Sequence, residues 1–373
     1  MIKYRNTELL YDEWSIDMDY RPDMDAHLAA KKRQYAKRKK RGKIILIVLL
    51  CITIAAVWAL IGVIAVRLAG SVDRPVQTTV SAPTLTAEPA ITGETTTAPI
   101  IETKAPDMQT VLIEKEQVAK GSLILVSSLL GRAYDFEQES NFVTLYGNKS
   151  GSYRISSTAL KLDAEALDAL NTMFDAYYAE TGNRDYQVTQ ASRTFEEQKS
   201  IYDSYLKTYG AEQGALLAAQ PGYSEHHSGY AIDMNVYTSA GISHSLATAG
   251  EVDPIYSWIY ENAAKYGFVE RYPEGKTTVT GITYEPWHFR YVGRGHAAYM
   301  VENDLVLEEY IALLYKYPYD GEHLTFSYDG VSYEVFFVPF GAETEAAEIT
   351  LRADATYTIS GNNWDGVIVT VSK

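Results

Sequence analysis

Between Tyr223 and Asn235 the chain reads YSEHHSGYAIDMN. The first half is a polar loop. The second half alternates, with Ile232, Met234 and Val236 on one face and Ala231, Asp233 and Asn235 on the other. That alternation predicts a strand whose Asp233 carboxylate faces the polar side. Gly229 lets the loop fold back before the strand begins. His226 and Asp233 are thereby candidate ligands for one divalent metal. Farther along, Tyr284 to Gly293 reads YEPWHFRYVG, with Glu285 and His288 three positions apart. Two imidazoles, one ligating carboxylate and a second, free carboxylate are the components of a hydrolytic zinc site. No His-Glu-x-x-His motif occurs in the chain, so the commonest zinc-peptidase arrangement is excluded.

The elements that must position these residues follow from local pattern. Leu123 to Ser127 reads as a strand. From Asp163 to Glu180, apolar residues at Leu167, Leu170, Met173, Phe174 and Tyr177 have the spacing of an amphipathic helix, and Asp163 is placed to cap it. Tyr186 to Ser192 is a predicted strand that delivers Arg193 at its end. A helix from Thr194 to about Tyr209 then presents Gln198 about one turn beyond Arg193. Pro254 to Tyr266 is a third helix, with proline at its start and Gly267 at its end. Arg294 to about Tyr315 is a fourth. Helices and short strands without regular β-α alternation predict an α+β fold.

Beyond Asp320 the pattern changes to strands. Leu324–Tyr328 and Val331–Val335 flank Asp329-Gly330, a strong hairpin signal. Thr356–Ile359 and Val367–Val371 form a second pair. Residues 321–373 therefore read as a small β appendage, either a binding module or a packing extension of the main domain.

A lone histidine or aspartate in a strand is ordinarily a satisfied structural residue. Here the spacing of several such residues carries more. Ser224-Glu-His226 followed by Gly229, Ala231 and Asp233, then Glu285-Pro-Trp-His288, resembles the D-alanyl-D-alanine carboxypeptidase family of the VanY type. Ser192-Arg193 through Gln198 resembles that family's upstream Ser-x-Arg segment, and the three pieces stand in the family's order over residues 110–320. The resemblance implies a hedgehog-like zinc peptidase domain with Zn²⁺ held by His226, Asp233 and His288. It implies Glu285 as catalytic base and Arg193, Gln198 and Ser224 as substrate-binding residues, with Arg193 also serving catalysis if it faces the oxyanion. His227 stands where relatives often carry Gln, and register with the motif gives the ligand position to His226. The implied reaction is removal of terminal D-alanine from peptidoglycan stem peptides. An L,D-carboxypeptidase or a D,D-dipeptidase on the same fold is the enzymatic alternative. A non-catalytic wall-binding receptor is the alternative of another class, and such a receptor would be free to lose Glu285.

The formal charge of −15 over 373 residues hides an asymmetry. Residues 1–43 carry 12 Lys/Arg against 7 Asp/Glu, leaving the remainder with a net charge of −20. Nucleic acid is excluded as a partner of the main body, because phosphate binding needs basic surface. The single cysteine, Cys51, excludes an intrachain disulfide. It lies in Ile44–Val66, 23 residues without a charge, long enough for a membrane-spanning helix. The run is longer and farther from the N-terminus than a cleaved signal peptide requires. The basic cluster Lys37–Lys43 before it orients the N-terminus to the cytoplasm and everything after Arg67 outside, as a single-pass protein of the cell membrane. Residues 67–109 are rich in Thr, Pro and Ala and read as an extended extracytoplasmic linker. The expected organisation is thus a cytoplasmic tail 1–43, a transmembrane helix 44–66, a linker 67–109, a catalytic domain 110–320 and a β extension 321–373.

Overall fold

The computed structural model describes residues 107–373 apart from 131 and 135–140. The expected cytoplasmic tail, the Ile44–Val66 run and the linker up to 106 lie outside the described residues. Among the described residues no helix is long and apolar enough to cross a membrane.

The strands, in chain order, begin with β1 (Met108–Glu114), β2 (Phe142–Thr144), β3 (Arg154–Ile155), β4 (Lys161–Asp163) and β5 (Tyr186–Gln190). Next come β6 (Ala231–Tyr237), β7 (Ser243–Ser245), β8 (Phe268–Tyr272) and β9 (Glu285–Tyr291). The last are β10 (Leu324–Tyr328), β11 (Val331–Pro339), β12 (Ala346–Arg352), β13 (Thr356–Gly361) and β14 (Gly366–Ser372). The sheet that matters for the site runs β3-β5-β6-β9-β8, with β7 paired to β6 beside β9. β3 and β5 are parallel and the other neighbours antiparallel. With helices interspersed irregularly, the fold is α+β, as the pattern predicts.

The Ala164–Thr181 helix forms where the apolar spacing places it. Asp163 accepts the Glu165 N–H at 2.9 Å, and Gly182 ends the helix at φ 70°. Leu170, Met173, Phe174 and Tyr177 are fully buried against Tyr186, Val188, Met234 and Val236 of the sheet. The alternation of β6 holds too: Ile232, Met234 and Val236 are buried while Asp233 and Asn235 are half-buried on the opposite face. Thr194 caps the Phe195–Tyr209 helix through a reciprocal pair with Glu197, a capping box.

Three expectations need correction. Leu123 to Ser127 is not a strand; only Ser127 makes a bridge, to Arg132. Leu123, Ile124, Leu125 and Val126 are nonetheless buried. Their backbone groups are met from other elements: the Leu123 N–H donates to Ser360 Oγ, the Leu125 N–H to the Asn362 carbonyl, and Arg290 donates to the Ile124 carbonyl. A buried apolar segment needs its backbone satisfied, and a ladder is only one way to do it. The long helix expected over Arg294–Tyr315 is two, Arg294–Glu302 and Leu307–Leu314, broken where Asp304 adopts φ 52°. Pro254 to Tyr266 is a short α-helix, Trp258–Asn262, between two 3-10 turns, and Gly267 ends it at φ 89°.

The C-terminal strands form the sheet β10-β11-β14-β13, and the β10–β11 hairpin turns at Asp329-Gly330 as the sequence predicts. They are tied back to the rest in two ways. β12 pairs with β1 along its full length, and Leu324, Val335 and Ile368 share a core with Leu123, Val269, Val292, Met300 and Leu307.

Candidate metal centre

Asp233 and His288 are direct partners across the antiparallel β6–β9 pair. Opposed residues of such a pair point to the same face, so the ladder itself brings the carboxylate to the imidazole. Asp233 Oδ1 lies 3.0 Å from His288 Nδ1. His226 arrives from a 3-10 turn, Glu225–Ser228, that Gly229 closes at φ 72°. Its Nε2 is 3.3 Å from Asp233 Oδ2. One nitrogen or oxygen from each of His226, Asp233 and His288 lies within 4.8 Å of the others. Glu285, at the start of β9, places Oε2 3.7 Å from His288 Nδ1 and belongs to no ligand group.

Hydrogen bonds behind the imidazoles decide which nitrogen faces inward. His226 Nδ1 is 2.6 Å from the Ala191 carbonyl; a carbonyl only accepts, so Nδ1 carries the proton and Nε2 presents its lone pair. Burial first, and then Arg193, pushes the His226 pKa down to about 4 against the pull of Asp233, which keeps the ring neutral. His227 differs. Its Nδ1 donates to the Arg193 carbonyl at 2.7 Å and its Nε2 accepts the Gly222 N–H at 3.2 Å. Both of its nitrogens are engaged, and the ring is buried.

The substrate-binding candidates line the same cavity, with Ser224, Tyr205, Tyr272, Ile282 and Trp287 among its walls. Arg193 Nη1 donates to Gln198 Oε1 at 2.6 Å, and Gln198 Nε2 donates to the Ala219 carbonyl at 2.7 Å. Arg193 Nη2 stands 3.7 Å from Asp233 Oδ2. The guanidinium is thus fixed at the edge of the His226–Asp233–His288 group, with its charge facing the cavity.

Burial raises the Glu285 pKa to about 8, with Asp233 and Glu225 adding to the effect and His288 and Arg193 opposing it. A carboxyl poised near neutrality suits a group that takes and returns a proton. Burial opposes ionisation of Asp233, but His226 and His288 hold its pKa far below the usual carboxylate range. The donors fit a cation by geometry as well. Asp233 Oδ1 is buried and makes no hydrogen bond of proper geometry, even with His288 Nδ1 so near. Donor atoms that converge without bonding one another are what a metal requires.

Sequence reasoning missed the support behind His288. Glu225, Arg271, Arg290 and Glu308 are all buried and joined to one another by ion pairs. The signal was an arginine in each of two largely buried strands, Arg271 beside Tyr272 in β8 and Arg290 between Phe289 and Tyr291 in β9. Such a residue must find a buried partner. The Tyr272 ring, 4.8 Å from that of His288, was missed as well.

The family profile described as "VanY: D-alanyl-D-alanine carboxypeptidase" matches residues 159–294, which contain every residue of this cavity from Arg193 to His288. A D-alanyl-D-alanine carboxypeptidase of Enterococcus faecium is 37% identical over 264 residues, covering 69% of this chain and 78% of that one. The chain belongs to the VanY family of D-alanyl-D-alanine carboxypeptidases. A D-alanyl-D-alanine carboxypeptidase of Enterococcus faecalis is 34% identical over 220 residues, 55% of this chain and 72% of the relative. Among solved structures, the vancomycin-resistance D,D-dipeptidase VanXYg, in complex with a D-Ala-D-Ala phosphinate analogue, aligns with a TM-score of 0.61 at 30% identity. The alignment covers 71% of this chain and 99% of that one. The VanY-family chain is thus an enzyme of the carboxypeptidase class with its candidate hydrolytic residues in one cavity.

Proposed function

We propose that this VanY-family protein is a zinc-dependent D,D-carboxypeptidase that removes the terminal D-alanine of peptidoglycan stem peptides. The observation that carries the reading is the convergence of His226, Asp233 and His288 beside an uncommitted Glu285. Two neutral imidazoles and one carboxylate suit Zn²⁺ and leave a position open for water. Bound there, zinc would supply a Lewis acid for the scissile carbonyl and a more acidic water.

The chain's own groups do the rest. Glu285 takes a proton from the attacking water and passes it to the leaving amine. Arg193, held by Gln198, binds a carboxylate in a two-pronged fashion or steadies the oxyanion. Ser224 lines the cavity beside His226, where it can contact the peptide. Tyr272 and Trp287 wall the cavity on the side of β8 and β9.

A second reading, D,D-dipeptidase, is favoured by the likeness to VanXYg over nearly the whole of that chain. A wall-binding receptor is disfavoured, because such a protein would have no use for Glu285. The membrane anchor is part of the proposal. It rests on the uncharged Ile44–Val66 run after the basic cluster, which supports an enzyme outside the cell with its N-terminus in the cytoplasm. Residues 67–109 then serve as the spacer that lets the domain reach the wall. Metal analysis of the purified protein, with D-alanine release from a stem pentapeptide before and after chelation, tests the reading. A metal-free protein that still released D-alanine would overturn it.

A further inference from the structure

His288 has two ring nitrogens, and the structure gives them different neighbours. Nδ1 faces Asp233 and Glu285. Nε2 faces Glu225 Oε2 at 3.7 Å, and each of these two atoms is buried without a hydrogen-bond partner. A lone pair offered at Nδ1 requires the proton on Nε2. Closing the Nε2–Oε2 gap to hydrogen-bond length takes a movement of about 0.8 Å.

Glu225 is arranged to leave that oxygen available. Arg271 Nε at 2.7 Å and Arg290 Nη1 at 3.0 Å both approach Oε1. Arg271 turns the fork of its guanidinium to Glu308, with bonds of 2.8 and 2.7 Å. Arg290 Nη2 donates to the Ser122 and Ile124 carbonyls. Two carboxylates and two guanidiniums make a neutral buried set. A set of this kind is costly to assemble unless every charge has its partner. Glu308 lies on the Leu307–Leu314 helix, whose apolar residues pack with Leu324, Val335 and Ile368 of the C-terminal sheet.

We propose that Glu225 is a positioning residue: it accepts the His288 Nε2–H and, through Arg271 and Glu308, fastens this metal ligand to the Leu307–Leu314 helix. The role rests on the zinc reading above. It makes metal affinity depend on Glu308, a residue that touches no metal ligand, and it gives the C-terminal region a share in holding the site.

The test uses the full-length protein in detergent. Zinc affinity is measured by competition with a chromophoric chelator, and the visible spectrum of the Co²⁺-substituted protein is recorded. Loss of a carboxylate behind a ligating histidine weakens metal binding by roughly 10–100-fold. Glu225→Gln is expected to fall in that range and to shift the Co²⁺ absorption. Glu308→Gln is expected to move both readouts in the same direction by less. A purely structural quartet would lower the melting temperature and leave both readouts of the folded protein unchanged, which overturns the proposal. Where Glu225→Gln fails to fold, the charge-balanced double variant Glu225→Gln/Arg290→Gln is read by the same criterion. If neither folds, Glu308→Gln decides, and wild-type affinity in it overturns the proposal. A wild-type protein that binds no zinc would instead sink the functional reading.

Discussion

Asp233 and His288 face each other across β6 and β9 in register, with Oδ1 of one 3.0 Å from Nδ1 of the other. Backbone pairing therefore fixes two of the three candidate ligands, from separate parts of the chain. Only His226 depends on a turn for its position, and Gly229 makes that turn.

The ligands and the base are expected to separate cleanly by mutation. His226→Ala, Asp233→Ala and His288→Ala should each lose bound metal together with activity. Glu285→Gln keeps size and hydrogen bonding, so metal should stay while turnover falls by roughly 10²–10⁴-fold. Metal content and kcat measured on the same preparations check this, and an active Glu285→Gln enzyme would contradict the assigned base.

Metal uptake should depend on pH in one direction. Burial works against the charged form of His288, but Asp233, Glu225 and Glu285 outweigh it and raise the pKa to about 9. Below that pH a proton competes with metal for Nδ1. Zinc binding at neutral pH should therefore release protons, and affinity should rise with pH and level off above about 9. Proton release measured by titration calorimetry in buffers of different ionisation enthalpy checks the sign. Affinity that falls as pH rises from 6 to 8 would contradict it.

His227 is expected to tolerate glutamine but not alanine. It uses one donor and one acceptor, to the Arg193 carbonyl and the Gly222 N–H, and an amide offers both. Alanine leaves two backbone groups without those partners, at a cost of about 1–3 kcal/mol for each that stays buried. His227→Ala should lower the melting temperature and raise KM through the displaced Arg193, while His227→Gln should stay near wild type in both. Equal damage by the two substitutions would count against this role.

Gly229→Ala is expected to be worse than its size suggests. The residue has φ 72°, and a Cβ there would run into the Phe142 ring. The left-handed conformation alone costs roughly 1–2 kcal/mol for a residue with a Cβ. Chemical denaturation should show at least that loss, with weaker metal binding because the turn carries His226. Unchanged stability would show that the turn yields without cost.

Much of this architecture was legible locally. The Ala164–Thr181 helix with its Asp163 cap, the two-faced β6 and the Asp329-Gly330 hairpin each follow from residues close in sequence. The convergence of His226, Asp233 and His288 was legible through the likeness of their motifs to the VanY family, since the last two stand 55 positions apart in the chain. The rest depends on partners far apart in the chain. Leu123–Val126 has strand composition yet takes its hydrogen bonds from Ser360, Asn362 and Arg290. The break between Glu302 and Leu307 rests on one left-handed residue, Asp304, inside an apparently continuous helical pattern. The pairing of β1 with β12, and of Glu225 with Arg271 and Arg290, leaves no local trace beyond Arg290 standing between Phe289 and Tyr291.

The most direct measurement compares two stem pentapeptides, one ending in a free D-Ala-D-Ala carboxylate and one in its C-terminal amide. Free D-alanine should be released from the acid, stop after chelation and return with added zinc, while the amide is cut far more slowly. Arg193→Lys should be poor on the acid, because an ammonium keeps the charge but loses the two-pronged fit. Equal cleavage of acid and amide by the wild-type enzyme, or release that survives chelation, would contradict a zinc carboxypeptidase.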